Sequence, residues 1–201
     1  MKSSATLDVS HLSSTAFGSR DPLWWGVMGF ILIEATILAI GLVTYFYLRT
    51  LAPVWPPPRT PMPDLLLPTV NMLLLLVSVI PMYWVDRAAR RKERRRVQIG
   101  LVLCVLLGVG VSVLRGFEFR AVHTQWDSHA YGSVVWTLLG LHTFDFVAEV
   151  LETVLLMAFG LTGPMTDHLF LDISDSAPFW YFVVAIWVPI YAVLYIVPRA
   201  L

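Results

Sequence analysis

The sequence predicts an all-α membrane protein with five transmembrane helices, and three observations lead to that prediction. The chain of 201 residues is 57% hydrophobic and only 14% charged, whereas soluble domains average about 25% charged residues. Five apolar segments are long enough to cross a bilayer, which takes about 20 residues each. Aromatic residues make up 13% of the chain, and Trp and Tyr are enriched at membrane interfaces.

The predicted spans cover 24–48, 65–85, 97–117, 131–161 and 178–197. The fourth span is long enough to tilt in the bilayer or to protrude from it. Pro81 and Pro189 lie inside the second and fifth spans, where we expect kinks or breaks. We divide the chain into a cytoplasmic tail, 1–22, and a single five-helix domain, 23–201. Asp21 immediately precedes the first span and is expected to cap it.

The connection between the second and third spans sets the predicted orientation. It reads DRAARRKERRR, 86–96, and its seven basic residues are Arg87, Arg90, Arg91, Lys92, Arg94, Arg95 and Arg96. Short loops rich in Lys and Arg stay in the cytoplasm. We therefore expect the N-terminus inside and the C-terminus outside. We assign the cluster to topology and to contact with the headgroups of anionic lipids.

Two other connections have distinctive compositions. The predicted outer connection, 51–63, contains six prolines, which favour a stiff and extended strap. The predicted inner loop, 162–176, is acidic through Asp167, Asp172 and Asp175. It could meet the basic connection on the same side of the membrane, but we favour an acidic loop that is simply solvated.

Ionisable residues inside the predicted spans need a reason, because a charge at mid-bilayer costs about 3 kcal/mol. Glu34 lies near the middle of the first span, either as a protonated carboxyl group that serves packing or as a proton carrier. In the fourth span, spacings of three, four and three residues place four ionisable groups on one helical face. They are His142, Asp145, Glu149 and Glu152.

The third and second spans carry further polar residues. Arg115 and Glu118 are three residues apart, so they can pair on one face as a structural anchor. Asn71, in the second span, is expected to form an interhelical hydrogen bond.

The sequence does not favour a cofactor site. Di-iron bundles use Glu-x-x-His motifs, and the fourth span has no such order; only His142 lies within a span, so paired histidine ligands for haem are lacking. The single Cys104 excludes a disulfide within the chain. The net charge of zero gives no indication of nucleic-acid binding.

Six stretches resemble a known family when they are taken in order. They are WWGVMGFILIEATILAIGL with Glu34, LAPVWPP as the outer strap, PTVNMLLLLVS with Asn71, LRGFEF with Glu118, HAYGSVVWTLLGLH with His142, and FWYFVVAIWVPIYAVLY with Trp180, Trp187 and Tyr191. Together they resemble subunit III of haem–copper oxidases, the cytochrome c oxidase class. The resemblance covers nearly the whole chain from Trp24, and it is to a five-helix form that lacks the first two of seven helices.

The chain departs from the family pattern at several positions. Asp145 takes the place of a second His in the fourth span, and Tyr181 and Val184 replace a His and an Asp in the last. Glu149 and Glu152 lie where the family is mostly apolar. We interpret Asp145, Glu149 and Glu152 as a branch-specific polar seam toward a neighbouring helix or subunit.

The resemblance implies a non-catalytic accessory subunit of a proton-pumping terminal oxidase, in the plasma membrane of an aerobic bacterium. It implies that haem and copper belong to partner subunits, that the chain packs against the haem-bearing subunit I, and that phospholipid is bound. Subunit II and a small helical subunit are further expected partners. The alternatives are an accessory subunit of a nitric oxide reductase and a small proton channel or transporter. Because Glu34 and His142 lie near the same depth, we also expect them to be coupled, directly or through water.

Overall fold

A computed structural model describes residues 17–200 as a helical bundle, without a β-strand in that part of the chain. The elements are a 3-10 turn at Gly18–Arg20, α1 (Pro22–Leu51), α2 (Leu66–Val77), α3 (Val79–Arg90), α4 (Arg94–Ala121), α5 (Ala130–Thr162), α6 (Asp167–Tyr191), a π-helical turn at Ala192–Ile196 and α7 (Val197–Ala200). The all-α prediction is confirmed. Most of the predicted tail, with Lys2 and His11, lies outside the described residues.

Three of the helices begin at a side-chain cap. The carboxylate of Asp21 accepts a hydrogen bond from the amide of Leu23 at 2.9 Å, and Pro22 follows it at the first helical position, where a missing N–H costs nothing. His129 caps α5 by accepting from the amide of Gly132 at 2.9 Å. Thr166 caps α6 in the same way. The predicted cap at Asp21 is therefore confirmed.

Among residues 17–200, four helical stretches are long and apolar enough to cross a membrane: Pro22–Leu51, Leu66–Arg90, Arg94–Ala121 and Asp167–Ala200. The second stretch joins α2 and α3, which are separated only at Ser78. The fourth predicted span forms α5, which is helical as expected but is not among these four. With 33 residues, α5 is about 50 Å long at 1.5 Å per residue.

Contacts between connections show that α5 runs the whole length of the bundle. At one end, the ammonium group of Lys92 lies 2.7 Å from the carboxylate of Asp167, just beyond the last residue of α5. At the other end, the hydroxyl of Thr60 lies 3.2 Å from Nε2 of His129, the cap of α5. The helix therefore links the same two ends as its neighbours, and the described part of the chain makes four or five candidate crossings.

The basic connection is a tight turn rather than an eleven-residue loop. Only Arg91, Lys92 and Glu93 separate α3 from α4. Lys92 has a left-handed backbone with φ of 57°, and the amides of Lys92 and Glu93 donate to the carbonyls of Ala89 and Ala88, each at 2.9 Å. This pattern ends a helix and satisfies its last carbonyls. The remaining basic residues extend the two helices beyond their apolar parts.

The predicted acidic loop is also mostly helical, which corrects the expectation of a solvated loop. Because Thr166 caps α6, that helix starts at Asp167, eleven residues before the predicted span. Asp172 is exposed, but Asp175 is buried in the described chain. Asp167 pairs with Lys92, so the acidic segment meets the basic connection, as in the alternative that we favoured less.

Both predicted irregularities lie near the prolines. The separation of α2 from α3 at Ser78 precedes Pro81 by one turn, and the π-helical turn that starts at Ala192 follows Pro189. The proline-rich strap is not helical between Leu51 and Leu66. Its Trp55 packs edge-on against the ring of Tyr131, with centroids 5.2 Å apart.

Candidate functional site: a buried polar network

A buried carboxylate joins three parts of the bundle. Oε2 of Glu118, on α4, accepts hydrogen bonds from Nη1 of Arg115 at 2.9 Å and from Nδ2 of Asn71, on α2, at 3.0 Å. Oε1 accepts from the hydroxyl of Tyr195, in the π-helical turn, at 2.6 Å. All four residues are 0–1% exposed. We call this set, together with His142 and Trp187, the Arg115 network.

His142 and Trp187 lie on the other side of the guanidinium group. Nη2 of Arg115 is 3.4 Å from Nδ1 of His142, and its central carbon lies 3.6 Å from the ring centroid of Trp187. Nε2 of His142 lies 3.0 Å from the carbonyl oxygen of Val183. A carbonyl only accepts and a guanidinium only donates, so this geometry fits a neutral imidazole with its proton on Nε2.

The Arg115 network is suited to holding helices together. One cation and one carboxylate balance each other's charge, and hydrogen bonds from α2, α4 and the π-helical turn converge on Glu118. Buried charges of this kind require partners on all sides. Three network atoms lack a hydrogen-bond partner in the described chain: Nε of Arg115, Oδ1 of Asn71 and Nε1 of Trp187. The network contains no nucleophile paired with a base.

The described residues, 17–200, include no cluster of three or more His, Cys, Asp or Glu side chains that could hold a metal ion. His142 is held by Arg115 and Val183. A ligand at that imidazole would have to displace one of these two contacts.

The sequence predicted part of this network. The Arg115–Glu118 pair and the interhelical hydrogen bond of Asn71 are both present. Tyr195 was missed; it is one helical turn beyond Tyr191, which the family resemblance had singled out. The role of Trp187 as a surface for a cation was also missed, although a buried Arg in an apolar helix is a signal to look for an aromatic neighbour.

Trp180 makes a second buried contact between helices. Its indole nitrogen, on α6, donates to the hydroxyl of Ser78 at 3.0 Å. That hydroxyl donates in turn to the carbonyl of Leu75 at 2.6 Å. The indole therefore ties α6 to the point where α2 gives way to α3.

The carboxylates of α5 form a separate group, which we call the acidic stripe: Asp145, Glu149 and Glu152. Asp145 and Glu149 are 5% and 1% exposed, whereas Glu152 is exposed. Both carboxylate oxygens of Glu149 and Oδ2 of Asp145 lack a hydrogen-bond partner in the described chain. The stripe thus enters the bundle interior at two positions and reaches its surface at the third.

Glu34 does not form a hydrogen bond with His142. The hydrogen bonds of His142 go to Arg115 and Val183, so the direct contact that we expected with Glu34 is not formed. Glu34 is half-buried on α1, and coupling to His142 through water stays a prediction.

The basic cluster is partly paired. Arg90 lies 2.9 Å from Asp86, Lys92 lies 2.7 Å from Asp167, and Arg96 lies 2.6 Å from Glu93. Arg87 lies over the ring of Tyr83, 5.2 Å from its centroid. Arg87, Arg91, Arg94 and Arg95 make no ion pair with the described carboxylates.

Comparison with known proteins connects this architecture to one family. The family model described as cytochrome c oxidase subunit III matches residues 3–198. Cytochrome c oxidase subunit 3 of the rabbit, Oryctolagus cuniculus, is 26% identical over 182 residues, which cover 86% of this chain and 69% of the relative. The subunit 3 of the cyanobacterium Synechocystis is 25% identical over 184 residues, covering 89% of this chain and 77% of the relative. That of the lamprey Petromyzon marinus is 26% identical over 192 residues, covering 92% and 72%.

Proposed function

Because the chain belongs to the cytochrome c oxidase subunit III family, we propose a specific way in which it serves its oxidase. It is an accessory subunit of a haem–copper oxidase and a multi-pass membrane protein. In the proposal, it packs against the haem-bearing subunit I, stabilises that subunit and supports its proton uptake during sustained turnover. The family match over 3–198 is the observation that carries the assignment.

The bundle offers a large apolar face for such a partner. Of the 30 residues of α1, only Leu38, Gly41 and Tyr45 are buried within this chain. The outward side chains include Leu32, which is 69% exposed, and Val43, which is 67% exposed. In a membrane, this face would be covered by lipid, by subunit I, or by a small helical subunit. Subunit II completes the proposed complex.

The proposed orientation places the basic turn in the cytoplasm and the proline-rich strap outside. The positive-inside rule supports it, because seven basic residues lie within the short segment 86–96. The membrane in this proposal is the plasma membrane of an aerobic bacterium. Haem and copper would be held by the partner subunits, and phospholipid would cover the apolar helices.

The relatives reported above are cytochrome c oxidase subunits, which favours an oxygen-reducing complex over a nitric oxide reductase. A proton channel remains the second candidate, because Glu149 is buried without a hydrogen-bond partner among the described residues. Proton flux into liposomes containing only this chain, abolished by Glu34→Gln, would support the channel.

Turnover of the oxidase tests the accessory role. We expect the complex purified without this chain to keep its haem spectrum and its initial rate of oxygen consumption. Its activity should then decay faster over many turnovers than that of the complete complex. Re-addition of the chain should restore the lifetime. Equal lifetimes with and without the chain would contradict the role.

A further inference from the structure

A groove between α3 and α4 opens at the basic end of the bundle. Its volume is about 550 Å³. The side chains that matter here are Tyr83, Trp84 and Arg87 from α3, Arg91 from the turn that follows it, and Arg96, Ile99 and Leu103 from α4. The groove combines cations with an apolar wall.

Helical spacing orders these side chains along the groove. Tyr83, Arg87 and Arg91 are four residues apart, so they follow one face of α3 toward the basic turn. On α4, Ile99 and Leu103 are four apart and lead away from that turn. The groove is therefore cationic at its end near the turn and apolar farther along the bundle.

The charge at that end is not fully neutralised. Arg96 pairs with Glu93, but Arg87 and Arg91 have no ion-pair partner among the described carboxylates. The ring of Tyr83 lies under the guanidinium of Arg87, which restrains that side chain at the groove. Two exposed guanidinium groups thus flank one opening, and guanidinium groups bind phosphate in a bidentate manner.

The apolar side chains of the groove are as exposed as side chains that face lipid. Trp84 is 61% exposed, Ile99 is 54% exposed and Leu103 is 40% exposed. Trp favours the interface between headgroups and acyl chains. An occupant must therefore carry a negative charge at one end and a hydrocarbon chain at the other.

We propose that this groove binds an anionic phospholipid, with its phosphate between Arg87 and Arg91 and an acyl chain along Trp84 and Leu103. The site deepens the lipid-binding part of the proposed function. The proposal requires that these helices lie in a membrane, but its test does not depend on which oxidase the chain serves.

Native mass spectrometry of the full chain in its complex tests the proposal directly. Phosphatidylglycerol and phosphatidylethanolamine with the same acyl chains would be titrated as probes. We expect the wild-type chain to retain phosphatidylglycerol preferentially. Both guanidinium groups would donate charge-assisted hydrogen bonds to the phosphate, so the double variant Arg87→Gln/Arg91→Gln should bind it at least about tenfold more weakly. Unchanged retention would overturn the site.

A matched variant separates the groove from general electrostatics. Arg94→Gln/Arg95→Gln removes the same charge from the same cluster, but neither residue lines the groove. This control should keep its phosphatidylglycerol. Equal loss in both double variants would mean diffuse attraction, which contradicts a site. Displacement of the lipid by glycerol phosphate alone, at matched concentration, would indicate a free phosphate site and would also overturn the proposal.

Photo-crosslinking of the unmodified chain keeps the test valid if the arginine variants do not assemble. Phosphatidylglycerol with a diazirine in its acyl chain should label Trp84, Ile99 or Leu103. Labelling elsewhere, or protection of these residues by a protein segment in the groove, would contradict the proposal. Labelling can be measured on the isolated chain. If the chain purified without a haem-bearing partner, the accessory role would be refuted, but the labelling result would still test the groove.

Discussion

Arg115 is buried near the C-terminal end of α4, and each neighbour removes part of the cost of burying its charge. Glu118 supplies the opposite charge at 2.9 Å. The face of Trp187 supplies a cation–π contact at 3.6 Å, and such contacts strengthen when they are desolvated. Tyr195 then donates to the free oxygen of Glu118, so the carboxylate is satisfied on both sides.

Removing only one of Arg115 and Glu118 should lower the free energy of unfolding far more than removing both. Glu118→Leu leaves the guanidinium of Arg115 buried without its counter-ion, and an uncompensated buried charge costs about 3–5 kcal/mol. We expect that loss in the free energy of unfolding, measured in bicelles by reversible denaturation with SDS. The double variant Arg115→Met/Glu118→Leu should recover much of it, because the buried charge is gone.

A second buried glutamate provides the control. Glu149 is as buried as Glu118, but neither of its oxygens has a hydrogen-bond partner in the described chain. Glu149→Gln should therefore leave the free energy of unfolding unchanged or raise it. A loss for Glu149→Gln as large as that for Glu118→Leu would contradict the distinction between the two sites.

Sequence spacing could predict contacts within a helix, but it could not identify the partner of a residue on another helix. The pairing of Arg115 with Glu118 follows from their separation of three residues along α4. The coupling that we expected between Glu34 and His142 was inferred only from their similar depth in the membrane. Depth does not fix rotation about a helix axis, and His142 turns toward Arg115 and Val183.

At the scale of elements, α4 and α5 approach closely through a glycine. A Cβ atom on Gly108 would lie 2.7 Å from Cγ2 of Val150 and 3.3 Å from Cη2 of Trp180. Val is stiff at χ1, so it cannot move aside freely. Small residues at helix crossings allow such packing in membranes, where no water drives the helices together.

Gly108→Ala should therefore separate α4 from α5 and α6. We expect a loss of about 1–3 kcal/mol in the free energy of unfolding, which is typical of an overpacked core. Gly110 is the matched control, two residues away on the same helix, because a Cβ there meets nothing within 4 Å. Gly110→Ala should be neutral or stabilising by up to about 1 kcal/mol. Equal effects of the two variants would contradict the packing argument.

Helix existence was easier to predict than helix ends. Apolar composition predicts where hydrocarbon surrounds the chain, but hydrogen bonding determines where a helix stops. The cap at Thr166 starts α6 at Asp167, inside a stretch that composition alone marks as a polar loop. In the same way, the left-handed Lys92 confines the turn between α3 and α4 to three residues.

At the scale of the molecule, the connections gather at two opposite ends of the bundle. The Lys92–Asp167 pair belongs to the basic end. At the other end, the guanidinium of Arg199 donates to the carbonyl of Pro63 in the strap. Which connections share an end follows from the order of the helices along the chain. Their assignment to the two sides of a membrane rests on the positive-inside rule.

Labelling of single cysteines should confirm that assignment. Two exposed residues would be replaced by Cys in separate variants: Asp127, in the connection before α5, and Arg95, in the basic first turn of α4. Cys104 is fully buried, so it should add little background. A membrane-impermeant maleimide applied to spheroplasts should label Asp127→Cys at once and Arg95→Cys only after permeabilisation. The reverse pattern would place the basic turn outside.

The most direct test of the central claim is the composition of the complex that purifies with this chain. An affinity tag on the chain should bring down a haem-bearing subunit in fixed stoichiometry, with the Soret absorption and oxygen consumption of a terminal oxidase. The same chain expressed alone should show no Soret band. A chain that purifies without a haem-bearing partner, or that carries stoichiometric haem by itself, would contradict its role as an accessory subunit.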